Sequence, residues 1–190
     1  LPEGTAEDTV ESVFDQILKA CDSLGVTLIG GHTEVSLGLD RPIGIGAILG
    51  EVEKGREIRT SGVELGDAIV LTRSAAIEGT AILASEARDA LTAAGVEDTV
   101  ISRSQRFLDD PGISVVKDAA VATSVVRVHA MHDPTEGGIA TALRELADAS
   151  GTGLLIEAAA IPYAEETIAL STALGIDPFG LIASGALLIT

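Results

Sequence analysis

Apolar and polar positions alternate along the chain in two rhythms, which predict helices separated by short strands. Apolar residues recur every three or four positions from Val10 to Leu24, a spacing that predicts an amphipathic helix ending at Gly25. The same spacing predicts further helices over residues 80–94, 98–108, 113–125, 139–147 and 164–174. Compact runs of β-forming residues predict strands over residues 26–29, 42–52, 68–71, 125–131, 153–157 and 184–190.

The order of these elements predicts an α+β fold. A strand followed by a glycine-bearing loop recurs at residues 26–35, 68–80 and 126–140. Long crossings through helices are expected to place several strands in one mixed β-sheet covered by helices. Residues 53–66 are polar and rich in turn formers, without an apolar face. We therefore expect a domain boundary there, with one domain over residues 1–55 and a second over residues 56–190.

Composition and charge indicate what the core consists of and which partners and locations are excluded. The chain is 46% hydrophobic but only 2% aromatic, so its core is expected to consist of Ala, Val, Ile and Leu. A net charge of −17 argues against nucleic acid and anionic membranes as partners. No apolar run is long enough to span a bilayer, and the first residues do not resemble a signal peptide. The single cysteine, Cys21, excludes an internal disulfide and favours a cytoplasmic location.

Two glycine loops carry the candidate chemistry. His32, Thr33 and Glu34 follow Gly30 and Gly31 after the first predicted strand. Asp133, Thr135, Glu136, Gly137 and Gly138 lie between the predicted strand 125–131 and the following helix. Bare glycine amides at a helix start favour anions, and carboxylates can hold Mg²⁺ on a nucleotide. The same residues also fit a simpler interpretation, in which Asp133 or Thr135 caps the helix and the glycines form turns.

Other familiar sites are absent from the sequence. The chain has neither the glycine–lysine loop of P-loop proteins, the glycine pattern of dinucleotide-binding proteins, nor the serine elbow of hydrolases. One cysteine and three histidines provide no recognisable zinc spacing, so we expect no metal site of that kind. His129 is expected in the core or on a sheet face.

Several segments resemble one known family. Residues 28–35 resemble the Gly-Gly-x-Thr segment of the aminoimidazole ribonucleotide (AIR) synthase, or PurM, superfamily. Residues 76–84 resemble the loop and first helix of that superfamily's second domain. Residues 129–143, with 161–162 and 174–178, are very similar to its hydrogenase maturation branch, HypE. The matches follow one another in order through nearly the whole chain.

The resemblance implies a fold and a class of reaction. Members have two α+β domains, of which the first dimerises and carries ATP with Mg²⁺. They use ATP to activate an amide, carbamoyl or other acyl oxygen, or to phosphorylate a small acceptor. The cofactor side would include Gly30, Gly31, His32, Thr33 and Glu34. The acceptor side would include Glu78, Gly79, Asp133, Thr135, Glu136, Gly137 and Gly138.

The resemblance also implies partners and a place in a larger protein. We expect a homodimer, together with other hydrogenase maturation proteins as partners. The chain would cover part of the PurM-like N-terminal domain in residues 1–55, and a C-terminal domain over 56–190 that lacks its last elements. The main ATP-binding segment would precede Leu1, so these residues alone are expected to be inactive.

Two residues depart from the HypE pattern. HypE has a lysine where Glu34 stands and an arginine where Glu136 stands, and each replacement puts an anion where phosphate would favour a cation. The cysteine that HypE modifies at its own C-terminus is not among these residues. The alternative is therefore a non-catalytic member that binds a nucleotide or a partner protein. The sequence assigns neither a catalytic residue nor an acceptor.

Overall fold

The computed structural model describes every residue from Leu1 to Thr190. Contacts along the chain divide it into two compact units, Leu1–Val52 and Glu53–Thr190. The interpretation of residues 1–55 and 56–190 as parts of two PurM-like domains stays a prediction. None of the helices is both long and apolar enough to cross a membrane.

The first unit is organised around helix α1, Glu7–Leu24. This helix was predicted, and Gly25 ends it in the left-handed conformation with φ of 66°. No side chain caps this helix, because Ala6 occupies the N-cap position and the Thr5 hydroxyl donates to the Pro2 carbonyl at 2.7 Å. The helix start therefore gains no side-chain acceptor from Thr5.

The two strands predicted in the first unit do not form. Residues 26–29 and 42–52 have no strand pairing, and the only bridge in this unit joins Pro2 to Ser36. Ile45 is 95% exposed and Leu49 is 88% exposed. A strand needs a partner for its backbone groups, and no segment of this unit pairs with these residues.

The second unit contains a three-stranded sheet. Strands β1 (Val70–Leu71), β2 (Met131–His132) and β3 (Leu188–Ile189) are arranged in the order β1-β3-β2, with both pairings antiparallel. In register, Ile189 lies opposite both Val70 and Met131. The parallel pairing expected of a mixed sheet occurs here only as an isolated bridge between Ala75 and Tyr163. The predicted strand 153–157 pairs with nothing.

Six helices accompany the sheet. They are α2 (Ile77–Glu86), α3 (Arg88–Ala93), α4 (Asp98–Gln105), α5 (Val116–Val125), α6 (Gly138–Ser150) and α7 (Glu165–Leu174). Short 3-10 turns cover residues 60–62, 106–108, 158–160 and 178–180.

Observed and predicted bounds differ for several helices, and the starts of two helices differ by three residues. The helix predicted over 80–94 begins earlier, at Ile77, and divides at Ala87 into α2 and α3. The helix predicted from residue 113 begins only at Val116. The Arg73 guanidinium binds the carbonyl oxygens of Gly112 and Ser114, which holds this stretch outside the helix.

Aliphatic residues form two cores in the second unit, as the composition predicted. One core lies where α6 meets the sheet and contains Ala75, Ile139, Ala142, Leu143, Ala183 and Leu188. The other joins α2, α3, α4 and α7 through Ala84, Leu91, Ile101 and Leu170. A buried hydrogen bond of 2.8 Å between the hydroxyls of Thr80 and Thr167 also links α2 to α7. The first core includes Ala75 and Ile139, which lie beside the starts of α2 and α6 and therefore beside the candidate loops.

Candidate functional site

The loop between β2 and α6 leaves three residues exposed at the helix start. Asp133, Glu136 and Gly137 face solvent, whereas Pro134 is buried. The predicted caps are wrong, because Gly137 is the N-cap residue, with φ of 77°, and no side chain caps the helix. Such a φ is costly for residues with a Cβ, so glycine permits this entry into α6.

Gly138 is required by close packing of the chain on itself. A Cβ built on Gly138 would lie 2.3 Å from the Leu181 carbonyl oxygen and 2.7 Å from that of Phe179. Its N–H donates to the Thr135 carbonyl at 3.0 Å. This amide is therefore committed within the loop, and Gly137 is the glycine of the pair that stays exposed.

The start of α2 also packs closely against backbone carbonyl groups of another segment. The Gly79 N–H donates to the Ile182 carbonyl at 2.9 Å, and the Glu78 N–H donates to that of Ser184 at 3.4 Å. A Cβ on Gly79 would lie 2.8 Å from the Ile182 carbonyl oxygen. Carbonyls of a neighbouring segment thus satisfy amides that a helix start leaves without partners.

The segment Leu181–Ser184 brings the two predicted acceptor-side loops together. Leu181 contacts the positions of both Gly79 and Gly138, and the Ala183 N–H lies 3.4 Å from the Thr135 carbonyl oxygen that also accepts from Gly138. The sequence did not single out this segment, because its carbonyls act through the backbone and leave no side-chain signal. The two loops therefore pack against one shared backbone segment, Leu181–Ser184.

Glu136 presents a negative charge at the exposed start of α6. Its own backbone N–H and the Thr135 hydroxyl hold the pKa of the Glu136 carboxyl below its ordinary value. The carboxylate makes no ion pair with a Lys or Arg side chain. An exposed, ionised carboxylate beside Gly137 repels phosphate and favours ligands that donate hydrogen bonds.

The predicted cofactor-side residues lie in the first unit. Residues 30–34 are exposed and adopt neither helix nor strand. His32 Nε2 lies 3.9 Å from Glu34 Oε2, with both side chains mostly in solvent. No group of three or more His, Cys, Asp or Glu side chains is placed to hold a metal ion. These residues alone do not fit the triphosphate of ATP with Mg²⁺, because they provide open backbone without a cation or a carboxylate cluster.

A histidine–carboxylate pair lies at the edge of the sheet. His129 Nδ1 is 2.9 and 3.0 Å from the two carboxylate oxygens of Asp67, and both side chains are mostly buried. The Glu64 N–H donates to Asp67 at 2.8 Å and, with a smaller effect of His129, lowers the pKa of the Asp67 carboxyl. The sequence does not point to Asp67, since the approach of residues 67 and 129 depends on the sheet and not on their spacing.

Comparison with known proteins identifies the family. Residues 64–190 match the model for the C-terminal domain of AIR synthase related proteins. A hydrogenase expression/formation protein of Methanocaldococcus jannaschii is 32% identical over 186 residues, which cover 97% of this chain and 52% of the relative. The carbamoyl dehydratase HypE of Rhodobacter capsulatus is 28% identical over 198 residues, covering 100% of this chain and 53% of the relative. The chain thus spans about half the length of the curated relatives it matches.

Solved structures establish the fold. A crystal structure of E. coli HypE matches with a TM-score of 0.76 at 22% identity, covering 100% of this chain and 55% of that one. HypE in complex with ATP matches with a TM-score of 0.69 at 24% identity, covering 100% and 53%. A HypE–HypF complex matches with a TM-score of 0.68 at 19% identity, covering 100% and 59%.

These matches confirm the α+β, PurM-like fold and the resemblance to HypE. They extend along the whole chain, whereas the family model begins at residue 64. The chain belongs to the AIR synthase-related family, and residues 64–190 are its C-terminal domain.

Proposed function

We propose that this chain is part of a HypE-like, ATP-dependent enzyme that activates a carbamoyl oxygen during NiFe hydrogenase maturation. The observation that carries the proposal is the extent of the match: relatives named carbamoyl dehydratase HypE or hydrogenase expression/formation protein align with 97–100% of the chain. No other feature ties both units of the chain to one reaction.

The exposed face around α6 suits the acceptor in this reaction. A carbamoyl group presents N–H donors, and the carboxylates of Asp133 and Glu136 are acceptors exposed on that face. The Thr135 hydroxyl and the Gly137 amide are the neighbouring polar groups. Gly79 and Gly138 would support the loops through packing, because their amides already bind carbonyl oxygens of the chain.

ATP, Mg²⁺ and partners are proposed for the whole protein. A structural neighbour binds ATP and another is a HypE–HypF complex, which supports a nucleotide and a maturation partner for this protein as well. Residues 30–34 would lie beside the nucleotide without forming its whole site. A cytoplasmic location fits the single thiol, Cys21, which would stay reduced there.

A second candidate is a member of the family that binds a nucleotide or a maturation protein without catalysis. One observation favours it: the helix starts that would receive an anion have their Gly79 and Gly138 amides committed, and Glu136 adds a negative charge.

Grafting the chain into a known relative separates the two candidates. E. coli HypE is 25% identical to this chain over 202 residues, which span the whole chain and 53% of HypE. We expect a HypE whose aligned region is replaced by residues 1–190 to restore hydrogenase activity in E. coli cells lacking HypE. Glu136→Gln in the graft should lower that activity, and Glu86→Gln, at an exposed position on α2, should leave it unchanged.

The outcomes of the graft are distinct. A folded graft that binds ATP but gives no hydrogenase activity would favour the non-catalytic candidate. A folded graft that binds neither ATP nor a maturation protein and restores no activity would overturn both.

A further inference from the structure

A groove of about 570 Å³ runs along the outer edge of β1 in the second unit. Residues 63–69 and Leu71 form one wall, and residues 152–157 and 160–162 form the other. Ile139, Leu143 and Leu188, which belong to the core beneath the sheet, line its base. Its volume lies within the roughly 300–1,000 Å³ that is usual for clefts that bind ligands.

Both walls present backbone groups without partners. β1 is an edge strand, since it pairs only with β3. The Thr72 N–H donates toward β3, to the Leu187 carbonyl at 3.0 Å. The alternation of an antiparallel strand therefore turns the N–H of Leu71, and that of Ile69 immediately before β1, away from β3 and toward the groove that both residues line. On the opposite wall, the N–H groups of residues 153–157 donate no hydrogen bond within the chain.

The opposite wall also has the sequence of a strand. Leu154, Leu155 and Ile156 predicted one, yet the segment pairs with nothing and Leu155 is 99% exposed. An unpaired strand edge with exposed apolar side chains is a template for a further strand. The groove lies between two such edges, which meet only beyond it, where the Ala75 N–H donates to the Pro162 carbonyl at 2.8 Å. A strand added in the groove would find unpaired backbone groups on both sides.

The acidic lining of the groove restricts which peptide segments can bind there. Its ionisable lining residues are Glu64, Asp67 and Glu157, and none of its lining residues is Lys or Arg. Asp67 is bound to His129, whose Nε2 also lies 3.9 Å from Glu64 Oε1. Glu64 and Glu157 are the exposed carboxylates at the rim. An entering segment would therefore gain from basic residues beside an apolar centre.

We propose that this groove binds an extended segment of another protein, apolar at alternate positions and flanked by lysine or arginine, as a strand added between β1 and residues 153–157. Backbone hydrogen bonds would give affinity, the apolar base would accept alternate side chains, and the acidic rim would select basic flanks. The groove lies away from the exposed loop 133–137, whose residues do not line it.

Two labelled peptides test the proposal against the full chain by fluorescence anisotropy. One is Lys-Lys-Val-Thr-Val-Thr-Val-Lys, and the other has every lysine replaced by glutamate. The basic peptide should bind, and the acidic one should bind far more weakly. Ile69→Pro removes an outward N–H and should weaken binding by up to about tenfold, the worth of one hydrogen bond. Ile69→Val keeps that N–H and should bind like the wild type.

Charge at the rim gives an independent variant. Glu157→Lys should weaken binding of the basic peptide by about threefold, which is the effect expected from losing one exposed ion pair. Glu86→Lys, outside the groove, should leave binding unchanged. Equal binding of both peptides, or equal losses in Ile69→Pro and Ile69→Val, would overturn the proposal. Self-association of the chain that Ile69→Pro abolishes would also overturn it, because the occupant would then be a second copy.

Discussion

At the residue scale, Gly138 shows how packing can produce a sequence signal that looks like ligand binding. Its φ is +61°, and an added Cβ would meet the Leu181 carbonyl oxygen at 2.3 Å. Gly138→Ala should therefore lower the free energy of unfolding by about 1–3 kcal/mol, through backbone strain and the displaced segment. Urea denaturation followed by far-UV circular dichroism measures the change.

Gly153→Ala is the matched control for that substitution. Gly153 has open space where a Cβ would lie. This variant should unfold within about 0.5 kcal/mol of the wild type. Similar losses for both substitutions would show that the contact with Leu181 does not explain Gly138.

The candidate site was predictable only in part at this scale. The sequence shows that Gly137 and Gly138 precede a helix, and the structure confirms that helix. The sequence cannot show that Leu181, 43 positions beyond Gly138, places a carbonyl against it. The roles assigned to the loop residues therefore stay predictions, to be tested by the graft.

At the element scale, Arg73 holds the approach to α5. Its guanidinium donates to the carbonyl oxygens of Pro111, Gly112 and Ser114 at 2.8–3.1 Å, and to the Asp118 carboxylate at 2.6 and 3.3 Å. Lysine cannot reproduce this planar set of donors. Arg73→Lys should lower the free energy of unfolding by about 1–3 kcal/mol and speed amide exchange in the first turn of α5.

Arg144→Lys serves as the control for the Arg73 variant. Arg144 makes one bond of 3.3 Å to Asp148, and its side chain is 81% exposed. Exposed ion pairs of this kind contribute little to stability, so Arg144→Lys should change the free energy of unfolding by less than about 0.5 kcal/mol. If Arg73→Lys changes the free energy of unfolding by as little, the contacts of the Arg73 guanidinium do not stabilise α5.

Helices were predicted better than strands for a physical reason. The helices ending at Gly25 and Gly175 have local hydrogen bonds and a left-handed glycine after their last turn. Strands depend on a partner elsewhere in the chain, so residues 42–52 and 153–157 had the right composition without forming one. Local pattern also could not reveal that Arg73 removes residues 113–115 from α5.

At the scale of the whole molecule, the expected homodimer depends on residues 1–52. Ile45, Ile48 and Leu49 are 95%, 78% and 88% exposed on an extended segment without a strand partner. Such a segment favours pairing with another copy. Multi-angle light scattering should find a dimer, and Ile48→Lys should shift it toward the monomer by placing a charge in the pairing surface.

Val121→Lys is the control for the dimer. Val121 is a similarly exposed apolar residue, at 62%, on α5 of the second unit. This variant should leave the dimer intact. A wild-type chain that stays monomeric at high concentration would contradict the expected assembly.

The segment Leu181–Ser184 restricts where residues can be inserted into the chain. Its carbonyls bind the start of α2 and its backbone packs against the start of α6, so one added residue would shift both contacts together. Residues 151–157 carry no such double attachment. Relatives that differ in length should therefore place their insertions near residues 151–157, while the spacing from Gly138 to Ser184 outside that stretch stays fixed.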